Sequence, residues 1–194
     1  MKRVALVLLA FISAAALAQT NVRVRGTISS LDGDVLKVKT REGRDVQVSL
    51  APDAQIVTAK KVSADEFKPG SYVGVTSVKG PDGKLLAKRV HALGPQVPQM
   101  HGQWDSIPNS MMTNANITNV AQASGGANEL TLKYKDGEEK ILVNKDTEYY
   151  NFEPGSRGDL KPGETIFTNA RVEGDGKFIA SRVAVGKNGV KPPQ

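Results

Sequence analysis

The chain of 194 residues has no cysteine. That removes disulfides, thiolate metal sites and a lipid-modified N-terminal cysteine together. Histidine is almost absent, at two residues, and no Gly-x-Ser-x-Gly, His-Glu-x-x-His or phosphate-loop pattern occurs. Catalysis that leans on imidazole or thiolate has little to be built from, so the expectation is a protein that is not an enzyme and carries no cofactor. Aromatic residues make up 5 %, with a single tryptophan, too few for the base-stacking platforms of nucleic-acid binders. Beyond residue 17 no apolar run approaches the roughly 20 residues that take a helix across a bilayer.

The one long apolar run lies at the start. Residues 4–17 follow Lys2 and Arg3 and end at Ala16-Leu17-Ala18, which gives a charged start, an apolar centre and a small-x-small exit. This pattern predicts a signal peptide over 1–18 and a mature chain beginning at Gln19, periplasmic or secreted. Such a chain must be stabilised by burial alone. Its charge is uneven: residues 22–93 hold 13 basic and 8 acidic residues, residues 111–186 hold 9 and 11. A basic first half favours an anionic envelope component such as lipopolysaccharide, anionic lipid or glycan; the plainer reading is a solvated surface. The expected partners are such a component or an envelope protein, and not nucleic acid.

What the chain has in plenty is itself. Residues 67–90 (FKPGSYVGVTSVKGPDGKLLAKRV) align without a gap on residues 160–183 (LKPGETIFTNARVEGDGKFIASRV), 93 positions later. A fixed offset means one unit of structure built twice. Within each unit the apolar residues alternate: Val22, Val24 and Ile28 with Arg23, Arg25 and Thr27, then Leu36 and Val38 with Lys37 and Lys39. Period two is the signature of strands with one buried face. Asp32-Gly33, Glu42-Gly43, Asp82-Gly83, Asp136-Gly137 and Asp175-Gly176 supply tight turns, and Lys-Pro-Gly at 68–70 and 161–163 suits a type II turn with positive φ at glycine. The expected strands are 22–30, 35–40, 45–50, 72–79 and 84–92, then 112–119, 129–135, 139–144, 165–172 and 177–185. Ser63-Ala-Asp-Glu66 is a capping box for a short helical turn between the third and fourth. Five strands with such a turn predict all-β architecture, two tandem OB-type barrels over 19–93 and 111–186, with a six-stranded barrel or sandwich as the alternative.

Between the repeats, residues 94–110 hold Pro95, Pro98 and Pro108 and show no alternation, so they read as a linker. Trp104 lies within it and is expected to pin it into a groove between the repeats. The tail over 187–194 is polar, ends in prolines and is expected to fray.

The Gly-x-Ile opening at 26–28, the Lys-Pro-Gly turn and the Asp-Gly-Lys-x-x-Ala-x-Arg-Val ending resemble an exported bacterial family of small β-barrels of unknown function. The run His101-Gly-Gln-Trp-Asp-Ser-Ile-Pro-Asn-Ser-Met-Met-Thr-Asn114 is similar to its tandem two-repeat form in proteobacteria. That form sometimes carries a metal transporter permease label, but a permease needs several apolar spans to satisfy its backbone in lipid. The resemblance implies a fold and no chemistry.

Three constellations are candidates for function. Met100, His101, Met111 and Met112, with Trp104 beside them, offer soft ligands suited to Cu(I) or Ag(I); the alternative is that they fill the gap between barrels. Tyr149 and Tyr150, with Asp146, Glu148, Phe152 and Glu153, offer a stacking or cation-binding face; the alternative places Tyr149 and Phe152 in the core and leaves Tyr150 half exposed. Arg89 and Arg182, at equivalent places, suggest salt bridges to Asp82 and Asp175. The leading expectation is a non-catalytic exported binding or scaffold protein of the cell envelope. The alternative is a periplasmic soft-metal protein using the Met/His/Trp linker.

Overall fold

The structure is a computed structural model that describes residues 20–192. The expected signal peptide and the start at Gln19 lie outside the described residues. The described residues form twelve strands: β1 (Thr20–Asp32), β2 (Val35–Thr40), β3 (Asp45–Lys61), β4 (Tyr72–Lys79), β5 (Leu85–Ala92), β6 (Met100–Trp104), β7 (Ser110–Gln122), β8 (Asn128–Tyr134), β9 (Gly137–Val143), β10 (Glu148–Pro154), β11 (Thr165–Val172) and β12 (Phe178–Val185). Three short 3-10 turns complete the regular structure. No helix among the described residues is long and apolar enough to cross a membrane. The alternation expected from sequence is realised: β2 buries Leu36, Val38 and Thr40 and exposes Lys37 and Lys39.

The pairing departs from the expected division at 19–93 and 111–186. β1 pairs with β2 and β2 with β3, but β3 then pairs in parallel with β12, β12 with β11, and β11 with β1. This is a closed five-stranded barrel with three strands from the first repeat and two from the second. Five of the other seven strands form the reciprocal circuit, β7-β8-β9-β5-β4, closed between β5 and β9 by Leu85↔Ile141 and Leu86↔Leu142, while β6 adds to β7 and β10 lies between β3 and β5. The cores follow the same exchange. Val24, Ile28, Leu36 and Val48 pack with Ile166, Ala170, Ala180 and Val183. Val73, Val75 and Val90 pack with Ile117, Leu132 and Ile141. Each repeat alone leaves its first three strands with an unfilled interior, so the last two strands of the other repeat bury what their own cannot.

The crossover is symmetric. β3 and β10 pair antiparallel, and the central pair is Ala59↔Phe152, which are equivalent positions 93 residues apart. A pseudo-two-fold axis therefore passes between them. The same operation relates Arg182↔Gln55 on β12 and β3 to Arg89↔Glu148 on β5 and β10. It also relates the two Lys-Pro-Gly turns. Gly70 (φ 95°) donates its N–H to Ile117 O at 2.8 Å, and Gly163 (φ 89°) to Ile28 O at 2.9 Å, so each turn is held by the first strand of the other repeat. Positive φ is what only glycine adopts freely. Gly33, Gly43, Gly83 and Gly176 also have positive φ. Gly137 does not, and a Cβ there would lie 3.0 Å from the Tyr134 hydroxyl, a contact that a small shift of that ring would relieve.

Four elements differ from expectation, one of them β10, a strand outside the ten expected segments. β3 runs to Lys61 through Pro52, because the chain bulges off β12 between Leu50 and Gln55, where a missing N–H costs no ladder bond. The linker is not structureless, since β6 pairs with β7 from Met100↔Asn114 to Trp104↔Ser110. The start of the tail is tied down: Lys187 bridges to Val190 and its amine meets Asp159 at 2.8 Å.

Candidate functional site

The soft-metal set is split by the pleat of β6 and β7. Side chains alternate between faces, and paired residues share one. His101 pairs with Thr113 and Gln103 with Met111, while Met100 pairs with Asn114 and Gly102 with Met112. His101 and Met111 thus lie on one face, Met100 and Met112 on the other, and the four do not converge. His101 is otherwise occupied: Nδ1 lies 2.9 Å from Thr113 Oγ1, Nε2 lies 3.7 Å from Glu139 Oε1, and the ring stacks on Tyr134 at 5.6 Å.

Trp104 does join the two halves. β6 belongs to the second circuit by its pairing, yet the half-buried indole lies 4.1 Å beneath the Arg23 guanidinium of β1. Next to it Asp105 accepts two hydrogen bonds from the buried Arg25, at 2.8 and 3.0 Å, and Arg41 donates to Ser106 O. Burial opposes the charge on Asp105, but the hydrogen bonds and charge of Arg25 prevail and hold its carboxyl below the ordinary range. The linker is clamped across both circuits.

The tyrosine pair is reversed relative to expectation. Tyr150 is buried and donates its hydroxyl to Glu148 Oε2 at 2.7 Å; burial, then Glu148, pushes its pKa up. Tyr149 is the half-buried one, packed on Phe67 at 5.7 Å against the second core, and Phe152 is half buried on the axis. The expected arginine bridges are not formed. Arg89 approaches Glu148 at 3.6 Å, and Arg182 lies over the Phe152 ring at 5.4 Å because its strand partner is the uncharged Gln55. Asp82 and Asp175 each accept a backbone N–H two residues on, from Lys84 and Lys177, at 3.1 Å. A two-residue reach is turn chemistry, so these local bonds take up both anticipated partners.

Beside the arginine seam, His91 is buried with Nδ1 unpartnered among the described residues. Burial, then the charges of Arg89 and Arg182, lowers its pKa to about 4. A ring neutral at physiological pH suits a packed position; a Cβ on Gly74 would come within 2.6 Å of its Nε2.

A concave feature lies on the opposite side of β7 from Trp104. It is an open cleft of about 1160 Å³ at the β5–β9 seam. Val78, Leu85, Met111 and Leu142 form its floor, the 107–109 loop walls one side, and Lys79, Lys84, Lys88 and Lys140 stand around it. The seam is thin for a local reason. In the second repeat the third strand is interrupted by a turn in which Thr147 N–H donates to Asn144 O at 3.1 Å and Asp146 N–H to Asn144 Oδ1 at 3.0 Å. Backbone pairing lapses there, and the Thr147 hydroxyl bonds Ala87 O at 3.0 Å instead. A smaller cleft of about 550 Å³ lies at the β12–β3 seam. Its Gly176, Lys177, Phe178, Val46, Gln47 and Ser49 are the pseudo-symmetric equivalents of Gly83, Lys84, Leu85, Glu139, Lys140 and Leu142 in the larger cleft. None of these equivalents was a candidate from sequence, whereas His101 and Met111, which also line the larger cleft, were candidates as soft-metal ligands. The lysines look like ordinary strand-face residues until the exchange brings β5 beside β9.

Residues 25–91 match the model of a family described as domain of unknown function (DUF5666). That segment runs through β1 to β5, so it contributes strands to both circuits. No curated protein and no solved structure matches the chain.

Proposed function

We propose that this is a non-catalytic exported binding or scaffold protein of the bacterial cell envelope, made of two strand-exchanged OB-type barrels, and that the cleft at the β5–β9 seam is its binding surface. The OB-type reading is supported by the strand order: one-two-three-five-four around each circuit, with strands three and five parallel. The observation that carries the binding reading is the cleft itself. It joins an apolar floor to several cationic groups, the combination that marks ligand sites. The excess of basic over acidic residues in 22–93 and the start at 1–18 are the sequence features that favour an envelope location. A photoreactive amino acid at Asn109, on the cleft wall, tests this in cells that express the full chain. Fractionation should place a chain starting at Gln19 outside the cytoplasm, and irradiation should give adducts that the same probe at Gln47, in the smaller cleft, does not give. Identical adducts from both positions, or none from Asn109, would sink the assignment of the site.

A further inference from the structure

We infer that the larger cleft selects a single-chain anionic amphiphile, of the long-chain carboxylate kind, and that its smaller twin does not. The inference rests on the reading of the larger cleft as the binding surface. Four amines and two carboxylates, Glu129 and Glu139, surround its floor. The carboxylates are engaged nearby: Glu129 with Lys140 at 3.5 Å and Glu139 with His101 at 3.7 Å. Lys79, Lys84 and Lys88 make no ion pair among the described residues, and Lys88 is half buried. An uncommitted cation group beside Val78, Leu85, Met111 and Leu142 asks two things of one ligand. A neutral amphiphile would cover the floor and leave the amines without countercharge. A hydrophilic polyanion would meet the amines and leave the floor wet. An acid on an apolar chain does both, gaining from charge-assisted hydrogen bonds at one end and from apolar burial along the rest.

The smaller cleft is the built-in comparison. The two-fold maps Lys79, Lys84, Lys88 and Lys140 onto Val172, Lys177, Ser181 and Gln47, so one amine of the four survives. Asp45 and Asp175 stand in its lining, and Phe178 and Ser49 replace Leu85 and Leu142. Among the described residues, β6 and the 107–109 loop have no counterpart in the first repeat to wall it. The fold operation that makes both clefts is the same, so what differs is the side-chain chemistry. Duplicated architecture thus carries one acid-binding site.

The test uses the full mature chain with methionine methyls labelled, titrated with decanoate below its micelle concentration by calorimetry and NMR. One equivalent should bind, and the Met111 methyl should shift more than those of Met100 and Met112 on the opposite face. Decyl maltoside, with the same chain and a neutral head, should bind at least tenfold more weakly. Lys84→Ala with Lys88→Ala should weaken decanoate at least tenfold, and Lys177→Ala should not. The comparison of head groups on the unaltered protein needs no variant to fold. If decyl maltoside binds equally well at Met111, acid selection falls while the cleft stands as a binding site. If neither amphiphile moves Met111, both fall. Two equivalents, one lost in Lys177→Ala, would show that the twin is not silent. Co-sedimentation with phosphatidylglycerol vesicles without a 1:1 decanoate complex would point to a membrane surface and overturn the proposal.

Discussion

Ile166→Ala reports which strands fold together. Ile166 lies in the second repeat but is fully buried among Val24, Ile28, Leu36 and Val38 of the first. Cutting it to alanine removes three carbons from a packed core whose neighbours sit on four other strands and cannot all close in. That should cost about 3–4 kcal/mol, within the range of such truncations. At a factor of ten for each ~1.4 kcal/mol, amides that exchange by opening of that core should exchange several-hundred-fold faster. Hydrogen exchange read by mass spectrometry resolves where. Peptides from 20–61 and from 165–185 should accelerate together, and those from 72–92 and 110–143 should accelerate far less. Ile141→Ala, equally buried in the second core, should give the complementary pattern. The exchanged topology is refuted if Ile166→Ala speeds exchange across 111–186 and leaves 20–61 protected, which is what two barrels divided in sequence would do.

Gly70→Val and Gly163→Val should each destabilise by roughly 1–3 kcal/mol; a Cβ meets nothing within 4 Å at either site, so calorimetry would measure the cost of φ near 95° and 89° alone. His91 supplies a pH dependence. Its folded pKa of about 4 lies below the 6.5 of the free side chain, so the unfolded chain takes up the proton first and stability falls as pH drops through that window. Urea titrations should show a loss of roughly 2 kcal/mol between pH 7 and pH 5, flattened in His91→Gln; an unchanged pH profile in that variant would exclude the ring as the cause. Gln55→Glu should give Arg182 the carboxylate that Glu148 gives Arg89, raising stability by about 0.5–1 kcal/mol in low salt and less in high salt; no gain would mean that the Phe152 contact already satisfies the guanidinium.

The alternation of Leu36 and Val38 with lysines, the Lys-Pro-Gly turns and the Asp-Gly hairpins announced ten strands close to where they lie, because each is a local property of a few residues. The extension of β3 was hidden by Pro52, which reads as a stop and is in fact a bulge. The exchange was hidden for a deeper reason. Val183 on β12 closes the barrel with equal chemistry whether the third strand of its own repeat or that of the other lies beside it, since both repeats carry the same pattern. What decides is the route of the chain between strands three and four, and alternation carries no information about that. The cleft was hidden with the topology: Lys88 and Lys140 lie 52 positions apart and are brought together by the exchange. The Met/His cluster, in contrast, is close in sequence, and the pleat sends its members to opposite faces.

The pseudo-axis explains why one chain holds both repeats. A unit of about 70 residues sits near the lower limit for a self-sufficient core, and sharing strands gives each circuit a filled interior. On a true two-fold axis, however, the central pair must be identical: two small residues would leave a void and two rings would collide. Here the pair is Ala59, buried, and Phe152, half buried, a small residue against a large one. That complementarity is open only to two repeats free to differ. Once Phe152 occupies the axis, its ring meets the edge of His91 at 6.1 Å and the plane of Arg182 at 5.4 Å. The pairs flanking the axis have diverged in the same way, Gln55 against Glu148 and Ile56 against Tyr149, while the Lys-Pro-Gly turns have not. The turns hold the exchange in place, so they keep their identity, and the residues at the axis and in the clefts are released to diverge and let the two halves specialise.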